Sequence, residues 1–397
     1  MRKLILISRW AGLAVLLPAA AASTLAAVLL TRIWVGGIDL HVYLAAAQVG
    51  LHSGWGHIYN ATLQRPLIRP YFAHIHGYSA GYWSPYVTTP PVAWLVAPLT
   101  FLPFNLAWWI WSGLAAVAVV CAALLLTPSS KFAKVMSVLV LLAMPQAGLG
   151  VVAGNVVAFL ILAAAGSWRL ALANRPYLAG AVLGAFAAKP QLAVLIIPVL
   201  LLGGQWRIAC GAIASGAIVA IASAISLGID GLKAWFALTK LVSSFHDQRF
   251  LSFGHLLGPT WLEVPVLALV AVAALLIAFR TRALGATVSI PVGIIGSVLV
   301  SPYLNGEDFM MLTAAGIILA QQPLSPAVRL ASGVLAVAPW VVSPGSVLAP
   351  DLAGIVVLIA LLLVPRRNAA QSSTFRRLAT AVPDRSLALM GSSPAGE

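Results

Sequence analysis

Acidic side chains are nearly missing from this chain, with nine among 397 residues against 23 lysines and arginines. Charge of either sign makes up 8% of the sequence, where a soluble globular protein carries about 25%. So few charges cannot cover a water-facing surface, which excludes a soluble domain. The two cysteines, Cys121 and Cys210, each sit inside an apolar run, so there is neither a disulfide framework nor a cysteine metal pattern. The formal charge of +14 is not gathered into a basic face. Lys and Arg stand singly or in pairs between apolar runs, which excludes nucleic acid as a partner and fits the positive-inside bias of membrane topology.

What is present is apolar. Hydrophobic residues make up 61% of the chain, in runs of about 20 residues rich in Ala, Leu, Val and Gly. The alternation that spanning strands require is absent, so the chain reads as an all-α polytopic membrane protein. The start, Met1-Arg2-Lys3 followed by an apolar stretch to Leu30, resembles a signal peptide but is long enough to span. It is expected as an uncleaved first helix, about Trp10 to Thr31, with the basic end cytoplasmic and its exit on the external side.

A long external loop, about Arg32 to Ser84, follows. Leu40, Tyr43, Leu44, Ala47 and Leu51 recur at helical spacing there and predict a helix lying in the interface. Trp55, Tyr59, Tyr71, Tyr78, Tyr82, Trp83 and Tyr86 suit either the headgroup layer or stacking on sugar rings. Further spans are expected at about 87–104, 106–127, 132–147, 152–168, 177–202, 208–227, 261–279, 284–301, 309–321, 327–342 and 351–364. A second external loop is expected from Gly228 to Thr260, and Ser301 to Asp308 falls on the same side.

Two arrangements of the middle give about twelve spans. Either the Pro-broken block 87–104 crosses and 177–202 is one kinked helix, or the block is re-entrant and 177–202 splits at Lys189-Pro190. Both leave Asp39 and Asp308 external. Residues 1–365 form one transmembrane domain in this reading, and 366–397 a mobile cytoplasmic tail.

Asp39 is the only acid in the first 229 residues. It either caps the helix that starts at Leu40 or serves as a general base at the mouth of a membrane cavity. Glu307 and Asp308 either begin a helix in solvent or, with Tyr303, Asp308 lines the cavity of Asp39. Adjacent carboxylates without a third ligand make a poor cation cage, and no metal is expected. Lys189, deep in an apolar segment and followed by Pro190 and Gln191, is either a plug satisfied inside the bundle or a phosphate contact. Gly154-Asn155, in a turn with Gly148 and Gly150, carries no role by itself; Arg249 and His255 are candidates for an anionic lipid head.

In order and spacing these pieces resemble glycosyltransferase family 87. The resemblance covers about Ile33 to Leu312 and rests on several short motifs. They are Asp39 with Tyr43, Tyr82-x-x-Pro85, Pro90-Pro91, Ala97-Pro98-Leu99, Leu102-Pro103, Gly154-Asn155, Ala179-Gly180 to Gly184, Lys189-Pro190-Gln191, and Ser301-Pro302-Tyr303 with Asp308. Two departures stand out: the common Gly-Gln pair is Gly154-Asn155, and a His found after Ser-Pro in the mycobacterial branch is missing, with Asp308 nearby.

The resemblance implies a C-type glycosyltransferase fold and an inverting transfer from a polyprenyl-phosphate hexose, mannose first. The acceptor would be an envelope lipid or glycan, and the reaction would run without a cofactor on the external face of the inner (plasma) membrane. Asp39 takes the base position, and Tyr43, Asn155, Lys189, Gln191, Arg249, His255, Tyr303 and Asp308 would contact donor or acceptor. The alternative is a multi-pass transporter or flippase. Carriers typically show internal repeats with paired broken helices, and the sequence shows none.

Overall fold

A computed structural model describes residues 36–73, 83–127, 131–243, 251–256, 260–341 and 348–363, with two isolated positions before them. The expected first helix, the tail, Arg249 and the rings Tyr78 and Tyr82 lie outside these residues, and of His255 only the backbone is described. Among the described residues the structure is helical and contains no strand.

Helix α1 (Ile38–Ser53) starts behind Gly37, whose φ of 78° is left-handed. A Cβ there would come within 2.7 Å of Phe104, so the position needs glycine for both reasons. Asp39 is therefore the second helical residue, which removes the helix cap from the two readings that its sequence position allows. The interfacial reading of α1 also changes: Leu40, Val42, Tyr43, Leu44, Ala45, Ala46, Ala47 and Val49 are all buried. The alanine run lets α2 (Ala61–Ala73), α3 (Pro90–Val96) and the 3-10 turn Ala97–Phe101 pack around it. Helix α2 is capped by Asn60, which accepts from the Thr62 N–H, and buries Gln64, Ile68 and Phe72 at four-residue spacing.

Pro90 to Phe101 rises only about 18 Å at 1.5 Å per residue, short of a hydrocarbon core of about 30 Å. The block is thus too short to cross as one helix. After Pro103 comes α4 (Phe104–Leu126). Then α5 (Lys131–Ala143) and α6 (Pro145–Ala153) meet at a 67° bend, where Pro145 cannot continue the preceding helix and begins the next. The expected boundary between spans 132–147 and 152–168 is displaced accordingly. Gly148 and Gly150 lie inside α6, and only Gly154 makes the turn into α7 (Val157–Leu172).

The segment expected at 177–202 is broken where Lys189-Pro190 suggested. It consists of α8 (Pro176–Leu183), the 3-10 turns Gly184–Ala188 and Pro190–Leu192, and α9 (Ile196–Leu202). Helix α10 (Trp206–Ser243) kinks at Gly228 and continues, so the first half of the expected second external loop is helical. A one-turn α11 (Phe253–Leu256), then α12 (Thr260–Arg280), α13 (Ala286–Leu299), α14 (Met310–Ala320), α15 (Pro326–Val337) and α16 (Leu348–Leu362) follow the expected order.

Helices α4, α10 and α12 are long and apolar enough to cross a membrane, and the bent α5–α6 pair counts as a fourth if it is one span. Six further apolar stretches, among them Val157–Leu172 and Ala286–Leu299, are shorter, so about twelve spans are not reached among the described residues. Ile218, Ile225 and Ile229 of α10 are 69–78% exposed, a face suited to lipid and not to water. One apolar core joins α4 to α9 and the start of α10 with α12 to α16, and a second gathers α1, α2 and α3 against α4 and the later part of α10. The site lies among the breaks that separate these helices.

Candidate active site

Three chain breaks bring the polar residues together: the turn at Gly154-Asn155, the interruption at Lys189, and the 3-10 turn Gly306–Phe309 before α14. Each break leaves backbone groups that side chains must satisfy. At the end of α6, Trp108 Nε1 and the Gly37 N–H both donate to the Val152 carbonyl, at 2.9 and 2.8 Å. Trp111 Nε1 donates to the Gly154 carbonyl and Ser112 Oγ to that of Val151. Gly154 has φ 77°, and a Cβ there would lie 2.7 Å from Leu40 Cβ. This packing locks the start of α1, and so Asp39, onto the α6–α7 turn.

Asn155 is the hinge of the cluster. Its Oδ1 accepts the Val157 N–H at 3.0 Å and so caps α7, which turns Nδ2 the other way. From there Nδ2 donates to Asp39 Oδ2 at 2.7 Å and to Glu307 Oε1 at 2.5 Å. Beside this triad Lys189 Nζ lies 2.6 Å from Asp308 Oδ1. Asp308 Oδ2 accepts the Asn305 N–H in a capping box, and Gln191 Nε2 donates to the Tyr303 hydroxyl at 3.0 Å.

Burial separates the three carboxyl groups. Glu307 is 4% and Asp308 0% exposed, whereas Asp39 is only half-buried. Burial raises the Asp39 carboxyl above its ordinary value, against the opposing pull of Lys189 and the Asn155 hydrogen bond. Burial, helped by the Asp39 charge, pushes Glu307 up to about 8.

A cavity of about 380 Å³ opens beside Lys189. Its walls are Val87, Thr88, Thr89, Lys189, Gln191, Tyr303 and the α10 residues Trp235, Thr239 and Val242, among others. The wall 87–89 belongs to neither helix nor strand, and side chains hold it instead. Tyr59 donates to the Thr88 carbonyl, Tyr86 to that of Thr89, and Trp235 to that of Val87. Gln64 Oε1 accepts the Tyr86 N–H.

Of the residues expected from sequence, Asp39, Asn155, Lys189 and Asp308 meet in one cluster, and Gln191 and Tyr303 meet beside it on the cavity wall. Tyr43 is 3% exposed and packs edge-on to Tyr86 at 6.0 Å, so it supports the cluster from the core and does not line the cavity. The same holds for Tyr59 and Tyr86, which stack on each other at 5.7 Å and are closed to a sugar ring. Glu307, for which the sequence offers no role beyond a solvated helix start, lies in the cluster. The only available signal was its adjacency to Asp308. Among the described residues no group of three metal-ligating side chains forms.

These features define a helical membrane protein with a cluster of three carboxyl groups, an amide and a lysine built on its helix breaks. A family model described as glycosyltransferase family 87 matches residues 86–302, more than half of the chain. The chain belongs to that family and is a membrane glycosyltransferase. The matched stretch holds Asn155, Lys189 and Gln191 and stops short of Asp39, Tyr303, Glu307 and Asp308. No curated protein and no solved structure matches the chain.

Proposed function

We propose that this glycosyltransferase moves a hexose, mannose first, from a polyprenyl-phosphate donor to an envelope lipid or glycan, with inversion, and that Asp39 is its general base. The observation that carries the reading is the half-buried Asp39 carboxylate, gripped by Asn155 and within the field of Lys189, which lines the cavity although Asp39 itself does not. An inverting displacement needs one carboxylate within hydrogen-bond reach of the acceptor hydroxyl. The hydroxyl oxygen attacks the anomeric carbon, its proton passes to Asp39, and the bond to the phosphate oxygen breaks. Polyprenyl phosphate leaves with the electron pair, already a good anion, so no second acid is required. Glycosidases need two carboxylates because their leaving group must be protonated.

Lys189 has two further N–H donors beyond the one given to Asp308, and these suit the leaving phosphate. Gln191 and Tyr303 suit the sugar or phosphate edge, and the apolar wall from Val87 to Val242 suits the isoprenoid. Arg249 and His255, which follow α10, remain candidates for the same phosphate. The whole apolar part, residues 1–365, acts as one transmembrane domain with a C-type fold. It sits in the inner (plasma) membrane with Asp39 external and residues 366–397 cytoplasmic. The positive-inside bias of the Lys and Arg residues supports this orientation.

The test is incubation of the purified protein with a panel of polyprenyl-phosphate sugars and a membrane lipid extract. Transfer from one of these donors without a nucleotide sugar is expected. Transfer only from a nucleotide sugar would overturn the donor class, and solute uptake into vesicles without any transfer would favour a carrier.

A further inference from the structure

The cluster holds three carboxyl groups and one ammonium. Lys189 is committed to Asp308 at 2.6 Å, which leaves Asp39 and Glu307 to share the two N–H groups of a single amide. That amide cannot turn round, because its oxygen caps the Val157 N–H. Glu307 is pressed into this position from behind: a Cβ on Gly150 would lie 3.2 Å from its own Cβ. The charged and titratable groups that face it are Asp39, Lys189, Asp308 and Tyr43. Helices α6 and α14, which pack on its turn, carry no charged residue. Two uncompensated anions on one buried amide repel, and in such pairs one member keeps a proton. Asp39 has open surface, so it can keep a charge at lower cost than the enclosed Glu307.

We propose that Glu307, held as the un-ionised acid on the Asn155 amide, is the positioning residue for Asp39. It fixes Asn155 from the far side and leaves Asp39 as the single free anion of the site. The role rests on the reading of Asp39 as base. Burial that pushes Glu307 up to about 8 agrees with it. When Glu307 loses its proton, a second buried anion stands beside the base and the leaving phosphate. Transfer should therefore fall on the alkaline side, with a limb that belongs to the Asp39–Glu307 pair.

Two readouts test this on the full-length protein. The first is infrared spectroscopy at neutral and alkaline pH on wild type and Glu307→Gln. The carbonyl stretch of a protonated carboxylic acid should be present at neutral pH, fade as the pH passes about 8, and be missing from the variant. The difference separates this group from Asp351, another buried carboxyl, whose oxygens, unlike those of Glu307, have no hydrogen-bond partner. The second is the pH profile of hexose transfer from polyprenyl-phosphate mannose. Glu307→Gln, which still accepts from Asn155, should keep transfer within several-fold at neutral pH and lose the alkaline limb. Glu307→Ala, which cannot hold Asn155, should lose more than tenfold.

If no such carbonyl distinguishes wild type from Glu307→Gln, the proposal fails whatever the kinetics. If the carbonyl is there but the alkaline limb survives in the variant, the positioning role fails. Full transfer by Asp39→Asn would remove the base and this role with it, while the infrared readout would still report the proton on Glu307.

Discussion

Lys189 Nζ and Asp308 Oδ1 lie 2.6 Å apart, both closed to solvent and 119 residues apart in the chain. The pair ties the break between α8 and α9 to the turn before α14, and so joins two walls of the site. Removing one partner leaves a buried charge alone, which costs about 3–5 kcal/mol. Lys189→Met and Asp308→Asn should each lower the unfolding midpoint in detergent markedly. The double variant Lys189→Met/Asp308→Leu should recover much of the loss, and single variants as stable as wild type would contradict the pairing.

Asn155 sits between two carboxyl groups, and its hydrogen bond lowers the proton affinity of Asp39. Asn155→Leu removes that bond, so Asp39 should hold its proton more tightly. The acid limb of the pH–rate profile should move upward, by about one pH unit for each 1.4 kcal/mol of lost interaction. Transfer at neutral pH should drop accordingly. A profile of unchanged position would show that the amide does not act on the base.

Gly154→Ala places a methyl 2.7 Å from Leu40 Cβ at a φ of 77°. The left-handed backbone alone costs about 1–2 kcal/mol. Because the clash is with the first turn of α1, Asp39 should shift, and transfer should fall more than the loss of stability explains. Thermal unfolding and initial rates on the same preparation check this.

Glu307 also links pH to stability. Its folded value, about 8, lies above its ordinary value of 4.5, so between the two the folded state holds a proton that the unfolded chain has lost. The contribution of this group is full below the ordinary value and declines as pH rises to about 8. Glu307→Gln should flatten the fall in stability across that window, measured by denaturation over a pH series.

How far the sequence revealed this arrangement depended on the kind of signal. Apolar runs and isolated prolines located most helices and the break at Lys189, because a proline or a lysine in such a run has few structural options. The scarcity of acids pointed at Asp39 and Asp308. What stayed hidden depended on packing between distant segments. Asp39 could be read as a cap or as a base because a helix start and a free carboxylate read alike, and only the left-handed Gly37 shows that the helix starts before it. Glu307 looked solvated because nothing local reveals that α6 covers it. The Tyr43, Tyr59 and Tyr86 rings had the composition of a sugar platform but pack on each other. Helix α1 suggested one apolar face, yet its alanines allow burial on several sides.

The most direct test of the account is Asp39→Asn in the polyprenyl-phosphate sugar transfer assay, with folding checked by thermal unfolding. A general base at this position predicts a folded variant in which transfer falls by about 10²–10⁴-fold, the usual contribution of such a group. A folded variant that transfers hexose at near wild-type rate would contradict it.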